Sequence, residues 1–246
     1  MVGPHALALH CRSYGELAQR PVVLIHGLFG SSVNWVSVAR RLASRYRVLV
    51  PDLRNHGQSP HASVHDYPAM TADLVALLDR HAVRSAILVG HSMGGKVAMH
   101  LALTAPQRVA ALAVVDIAPV RYAHDFATVM AGFDAVDLAR LTAREQADAQ
   151  MRSAVPGKNL RSFLLQNLVR AGGSWCWRLN LPALAGAQTA ITGFPDYPPG
   201  TTYEGPTSFI HGEMSDYVKL SHRPRIRALF PNAMLSTVAG AGHWVY

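Results

Sequence analysis

Residues 88–102 read LVGHSMGGKVAMHLA, in which Gly90, His91, Ser92, Met93 and Gly94 fit the pattern G-x-S-x-G where a β-rich run meets a helix-like one. A sharp strand-to-helix turn imposes strained backbone angles on the serine, and flanking glycines remove the Cβ clashes that would forbid it. The serine oxygen then stands at a helix N-terminus, whose dipole favours developing negative charge. A serine is a poor nucleophile at neutral pH, so it needs a base to take its proton and an acid to orient that base. In this setting the chain order is serine, acid, histidine. His243, in VAGAGHWVY, follows the last apolar run, and its neighbours Gly240, Ala241 and Gly242 give a loop able to bring the imidazole over the turn.

Two carboxylates compete for the acid position. Asp116 ends VAALAVVD, the run after the serine helix, and Asp216 lies in HGEMSDYV after the following run. Either reaches His243; Asp116 also suits a loop cap and Asp216 a helix N-cap. HGLFG, residues 26–30, follows the strand-like PVVLI, and a glycine-containing loop there turns a backbone N–H toward a substrate oxygen. Leu28 and Met93 are the expected oxyanion donors, with Phe29 as a wall. In PDLRNHGQS, residues 51–59, Asp52 and Arg54 read as a structural ion pair and His56 as a minor candidate.

These residues need a frame. Short apolar runs (ALALHC, PVVLIHG, YRVLVPD, SAILVGH, VAALAVVD, PTSFIHG, AMLSTVAG) alternate with helical spacing, as in YPAMTADLVALLDRH, where Leu74, Leu77, Leu78 and His81 share one side. That alternation predicts an α/β architecture, a mostly parallel central sheet with helices on both faces. It stops over residues 120–205, which read as mainly helical and loop-like and are too long for a plain connection. The expected organisation is a core domain in two parts, residues 1–119 and 206–246, separated by a helical cap at 120–205. Phe126, Phe133, Phe163, Trp175, Trp177 and Phe194 of the cap either line an apolar pocket or hold the cap together.

With 246 residues, half of them hydrophobic, the chain has material for a substantial core, and no repeat is present. Cys11 and Cys176 form neither a metal-spaced pattern nor a disulfide framework, so no metal is expected and a reducing cytoplasm fits. The start, MVGPHALALHCRSYGE, lacks the features of a secretory signal, and no run is long enough to span a membrane. The net charge of +8 comes from dispersed basic residues, which reads as a solvated surface rather than a nucleic-acid face.

Together HGLFGSSVNW, PDLRNHGQSP, DYPAMTADLVALLD, GHSMGGKVAM, VVDIAPVRY and GAGHWVY resemble the serine α/β-hydrolases, and within them the YbfF-type bacterial esterases and their mitochondrial relatives. The resemblance implies the α/β-hydrolase fold, a helical cap, no cofactor, and hydrolysis of a small carboxylic ester or thioester through an acyl-enzyme. It also implies that Asp116 is the acid and that Ser215, at the later acid position, supports the histidine. Asp216 beside it is this sequence's addition. Other chemistries on the fold that keep the serine are carbon–carbon bond hydrolysis and cofactor-free haloperoxidation, and a non-catalytic binding protein is the reading from another class. Only Trp244, Val245 and Tyr246 follow the histidine, where such folds continue into a closing helix. The expectation is a truncated end or a partner subunit over that face.

Overall fold

The computed structural model describes residues 6–123 and 125–245. In chain order the elements before the serine turn are β1 (Cys11–Tyr14), β2 (Arg20–Ile25), α1 (Val36–Leu42), β3 (Tyr46–Pro51), α2 (Tyr67–Arg80) and β4 (Ala86–His91). Then follow α3 (Met93–Thr104), β5 (Val109–Val115), α4 (Ala127–Asp134), α5 (Arg144–Met151), α6 (Lys158–Leu164), β6 (Leu168–Ala171) and β7 (Ser174–Trp177). The chain continues through α7 (Leu181–Gly186), α8 (Gln188–Thr192), β8 (Thr207–Gly212), α9 (Arg223–Leu229) and β9 (Ala233–Val238). Seven strands make one sheet in the order β1-β3-β2-β4-β5-β8-β9. β1 is antiparallel to β3, and every other pairing is parallel.

The central parallel strands are short apolar runs that bury both faces, and Leu24, Ile25, Val48, Leu49, Val50 and Val114 have no exposed surface, whereas the edge strand β9 is half exposed. Asp66 caps α2 by accepting the Ala69 N–H at 2.8 Å, and Met70, Leu74, Leu77 and Leu78 face the sheet as the spacing predicts. His81 does not share that face: it lies at the C-cap, half-exposed.

α3 is buried along nearly its whole length, and its first turn meets the sheet backbone to backbone. A Cβ on Gly94 would come within 2.5 Å of the carbonyl oxygens of Ile25 and His26, and one on Gly90 within 2.3 Å of the Gly94 carbonyl. Lys96 of α3 is 1 % exposed and donates to the carbonyls of Thr192 (3.0 Å) and Gly193 (2.5 Å) at the end of α8. Burial, with repulsion from Arg121, pulls its ammonium down to about 7.

Between β5 and β8 the chain builds α4 to α8 around a core of its own, which includes Phe133, Leu141, Met151, Leu164, Leu168 and Leu184. This segment is mainly helical and loop-like, as its sequence suggests, and it also contains a pair of strands that this reading does not include. β6 and β7 form an antiparallel hairpin, and Gly172 and Gly173 take φ +58° and +84°, the conformation that two-residue hairpin turns require. Two further expectations differ. The strand predicted at ALALHC starts only at Cys11, because the Leu7 N–H is drawn to Asp73 Oδ1 of α2 (2.6 Å) instead of a neighbouring strand.

Arg54 pairs with Asp73, through Nε at 2.6 Å and Nη2 at 2.8 Å, and not with Asp52. The lone pairs of Asp52 are taken by the N–H groups of Ser32 and Gln58 and by His10, while the guanidinium fork finds a bidentate match on α2.

Substituting Gly94 by Ala is expected to cost about 1–3 kcal/mol, since backbone and not a flexible side chain must move. Gly186→Ala, where a Cβ meets nothing within 4 Å, should be neutral or stabilising. Urea midpoints of the two variants check this. Because folded Lys96 titrates near 7 and the unfolded lysine near 10.5, the unfolded chain binds the extra proton between those values. Stability of the wild type relative to Lys96→Met should therefore rise with pH across that window, as measured by urea unfolding at pH 7 and pH 9.

Candidate active site

Ser92 sits at φ +51° and ψ −120°, a conformation held because its N–H donates to Val115 O at 2.9 Å and its carbonyl accepts the N–H groups of Gly95 and Lys96. β4 feeds it, α3 leaves it, and the glycines at 90 and 94 make room for the crossing. The HGLFG loop lies directly beside it, since a Cβ on Gly27 would stand 3.3 Å from Ser92 Cβ. Among the described residues no acceptor takes the N–H of Leu28 or of Met93. Both are therefore available to an incoming oxygen.

Asp116, just past β5, has no exposed surface and takes φ +51°. Its Oδ2 accepts from His243 Nδ1 at 2.7 Å and from the Ser215 hydroxyl at 2.5 Å, and its Oδ1 accepts the Gly212 N–H at 3.1 Å. A carboxylate on Nδ1 sets the tautomer in which Nε2 is the free base. The alternative acid is elsewhere: Asp216 is 96 % exposed and pairs with Lys219 at 3.4 Å. Nor does it cap a helix, because the turn before α9 is capped at Lys219. Ser215 is the neighbour that reaches the Asp116 carboxylate.

Two contacts on His243 had no signal in the sequence beyond proximity to motifs. Tyr217 stacks on the imidazole with centroids 4.2 Å apart and planes at 27°. His91 Nε2 faces the His243 carbonyl at 2.9 Å, and its ring lies 4.5 Å from the His243 ring. Burial, aided by His243, pulls the His91 imidazole down to about 3, so it is a neutral donor that ties the histidine loop to the serine turn.

Ser92 and His243 open onto one cavity of about 390 Å³, walled by Leu28, Phe29, Phe126, Val129, Leu160, Phe163, Tyr217 and Trp244. A smaller lobe of about 40 Å³ runs from Ser92 past Met93 to Lys96, Tyr67 and Tyr122. Of the aromatic residues expected in the inserted segment, Phe126 and Phe163 line the cavity. Phe133, Trp175 and Trp177 pack into the segment's own core, and Phe194 packs against Tyr67 and Tyr197. An open groove of about 690 Å³ between residues 61–66 and α7 lies apart from Ser92. Among the described residues no group of histidine, cysteine and acidic side chains could hold a metal ion, and no helix is long and apolar enough to cross a membrane.

The mouse sn-1-specific diacylglycerol lipase ABHD11 is 44 % identical over 240 residues, covering 94 % of this chain and 78 % of that protein. Esterase YbfF of Escherichia coli (strain K12) is 40 % identical over 229 residues, 92 % of this chain and 87 % of its own. Among solved structures, a marine microorganism esterase superposes with a TM-score of 0.94 at 34 % identity, covering 98 % of this chain and 94 % of that one. A family model described as alpha/beta hydrolase fold matches residues 20–246. By this match, by its parallel sheet and by its likeness to named esterases and lipases, the chain belongs to the α/β-hydrolase family and is a carboxylic ester hydrolase of the YbfF-like kind.

Proposed function

We propose that Ser92 is the nucleophile, His243 the base, and Asp116 the acid that orients it. The observation that carries this reading is the single cavity shared by Ser92 and His243, with Asp116 buried behind the imidazole at 2.7 Å. Ser92 Oγ attacks the acyl carbonyl while His243 Nε2 takes its proton, giving a tetrahedral oxyanion that the N–H groups of Leu28 and Met93 stabilise. His243 then gives the proton to the leaving alkoxide or thiolate as the carbon–oxygen or carbon–sulfur bond breaks. Water, deprotonated by the same histidine, attacks the acyl-enzyme and releases the acid and the free serine. Ser215 steadies Asp116 through the third position of its carboxylate.

The substrate is a small ester or thioester with an apolar portion, because the cavity is walled mainly by carbon. Residues 120–205 act as a cap over the core formed by 1–119 and 206–246, contributing Phe126, Val129, Leu160 and Phe163 to that wall. No step calls for a cofactor or a metal, and a reducing cytoplasm suits Cys11 and Cys176, which are both free thiols.

A fluorophosphonate probe should label the wild type and not Ser92→Ala. Absence of labelling in the wild type, or its persistence in the variant, would overturn the serine hydrolase reading in favour of a binding role. Asp116→Asn should lower ester kcat by about 10³–10⁴-fold, because the histidine loses its tautomer. Asp216→Asn should leave kcat within about twofold, as expected of an exposed charge. Ser215→Ala should fall between them, at about ten- to hundredfold, the worth of a hydrogen bond to a charged group. Steady-state kinetics on a series of p-nitrophenyl esters and acyl-CoA thioesters provides these values and ranks acyl length.

A further inference from the structure

Three successive peptide planes of the HGLFG loop are each pinned by a side chain or by a turn. Gly27 O accepts from His26 Nδ1 at 2.8 Å and from the Gly30 N–H at 3.0 Å. In a trans peptide the carbonyl and the following N–H point opposite ways, so this fixes the direction of the Leu28 N–H. The next plane is held by the Phe29 N–H, which donates to His56 Nε2 at 3.2 Å. The third is held by Phe29 O, which accepts from Asn167 Nδ2 at 2.8 Å.

Phe29 itself is at φ +61°, a left-handed conformation that costs a non-glycine residue about 1–2 kcal/mol. Such strain persists only where the surroundings impose it. His56 imposes it from the core. Its Nδ1 donates to Arg54 O at 2.9 Å, so Nε2 is the acceptor, and burial together with neighbouring His26 keeps the ring neutral. Asn167 imposes it from the inserted segment. The same amide nitrogen reaches Leu164 O at 3.1 Å, which orients the side chain. The Phe29 ring, 6 % exposed, is lodged against Phe126 and Phe133 with centroids 5.9 and 5.5 Å away.

We propose that His56 and Asn167 are positioning residues for the oxyanion hole: by clamping Phe29 in its strained conformation they aim the Leu28 N–H at the substrate oxyanion that forms beside Ser92, so that docking of the inserted segment completes the site. The inference rests on the reading that Leu28 is an oxyanion donor to an ester attacked by Ser92. Neither side chain needs to touch substrate. The segment that walls the cavity thereby also sets the chemistry, and a loosened segment would bind substrate yet turn it over slowly.

The test uses the full chain carrying His56→Leu, His56→Gln or Asn167→Leu, with p-nitrophenyl butyrate as substrate and an alkyl trifluoromethyl ketone as inhibitor. The ketone forms a tetrahedral adduct whose oxyanion sits in the hole. His56→Leu and Asn167→Leu should each lower kcat by about 10–100-fold with KM within about twofold, the scale of a slight misplacement of a catalytic group. Ketone affinity should fall by the same factor as kcat. His56→Gln restores an acceptor near the position of Nε2 and should recover most of the loss. A lowered melting temperature with unchanged kcat, or a change confined to KM, overturns the proposal. If His56→Leu does not fold, Asn167→Leu on the opposite side of Phe29 decides alone. Fluorophosphonate labelling of the wild type separates the two failures. A labelled wild type with unaffected variants sinks only the clamp, whereas an unlabelled wild type removes the serine reading and the clamp with it.

Discussion

The contact on which the structure depends is backbone against backbone. α3 meets β2 and β4 through Gly90 and Gly94, with no side chain between. Only at that separation can the chain leave β4, turn through a left-handed serine and enter a helix within one residue. The helix N-terminus and the free Met93 N–H then arrive at the same point as the hydroxyl. Parallel pairing does the rest, because β2, β4, β5 and β8 all present their C-terminal ends to one edge of the sheet. The HGLFG loop, Ser92, Asp116 and Ser215 are the residues found just past those ends.

Electrostatically the site combines buried, uncharged histidines with two buried carboxylates, Asp116 behind His243 and Asp52 near His26. His26, His56 and His91 are all drained of positive charge by burial, and each spends its two nitrogens as one donor and one acceptor or as a donor to backbone. Their role is to hold peptide planes in place rather than to move protons. His243 differs, because Asp116 lies on one nitrogen and the cavity on the other side of its loop. The difference between these histidines is one of partners, not of residue type.

What was legible in the sequence is what depends on local spacing. G-x-S-x-G between a strand and a helix located Ser92, and the alternation of runs gave the parallel sheet, because both are set by neighbours within a few residues. The hairpin at Gly172 and Gly173 was also spelled out locally, and the helical reading of that segment passed over it. The choice between Asp116 and Asp216 was not legible, because both follow strands and only the packing of the His243 loop separates them. Arg54 lay beyond reach for the same reason: its partner Asp73 is nineteen positions away on another element. Asn167 and Tyr217 carry no motif, and their contacts with Phe29 and His243 join segments that local spacing cannot bring together.

The separation in sequence of the groups around Asp116 has a consequence for folding. Ser215 lies 99 positions from it and His243 127, and His91 meets the His243 carbonyl across 152. The serine turn, by contrast, is closed by bonds between neighbouring elements. Contacts of long sequence separation carry the largest loop-closure entropy and form late, although the core of residues 120–205 shortens the effective loop between β5 and β8. In a chain caught before β8 docks, the Ser92 turn is in place while Asp116 lacks the partners that come from beyond β8. Hydrolytic activity is thus a stricter report on completion of this fold than its helix content.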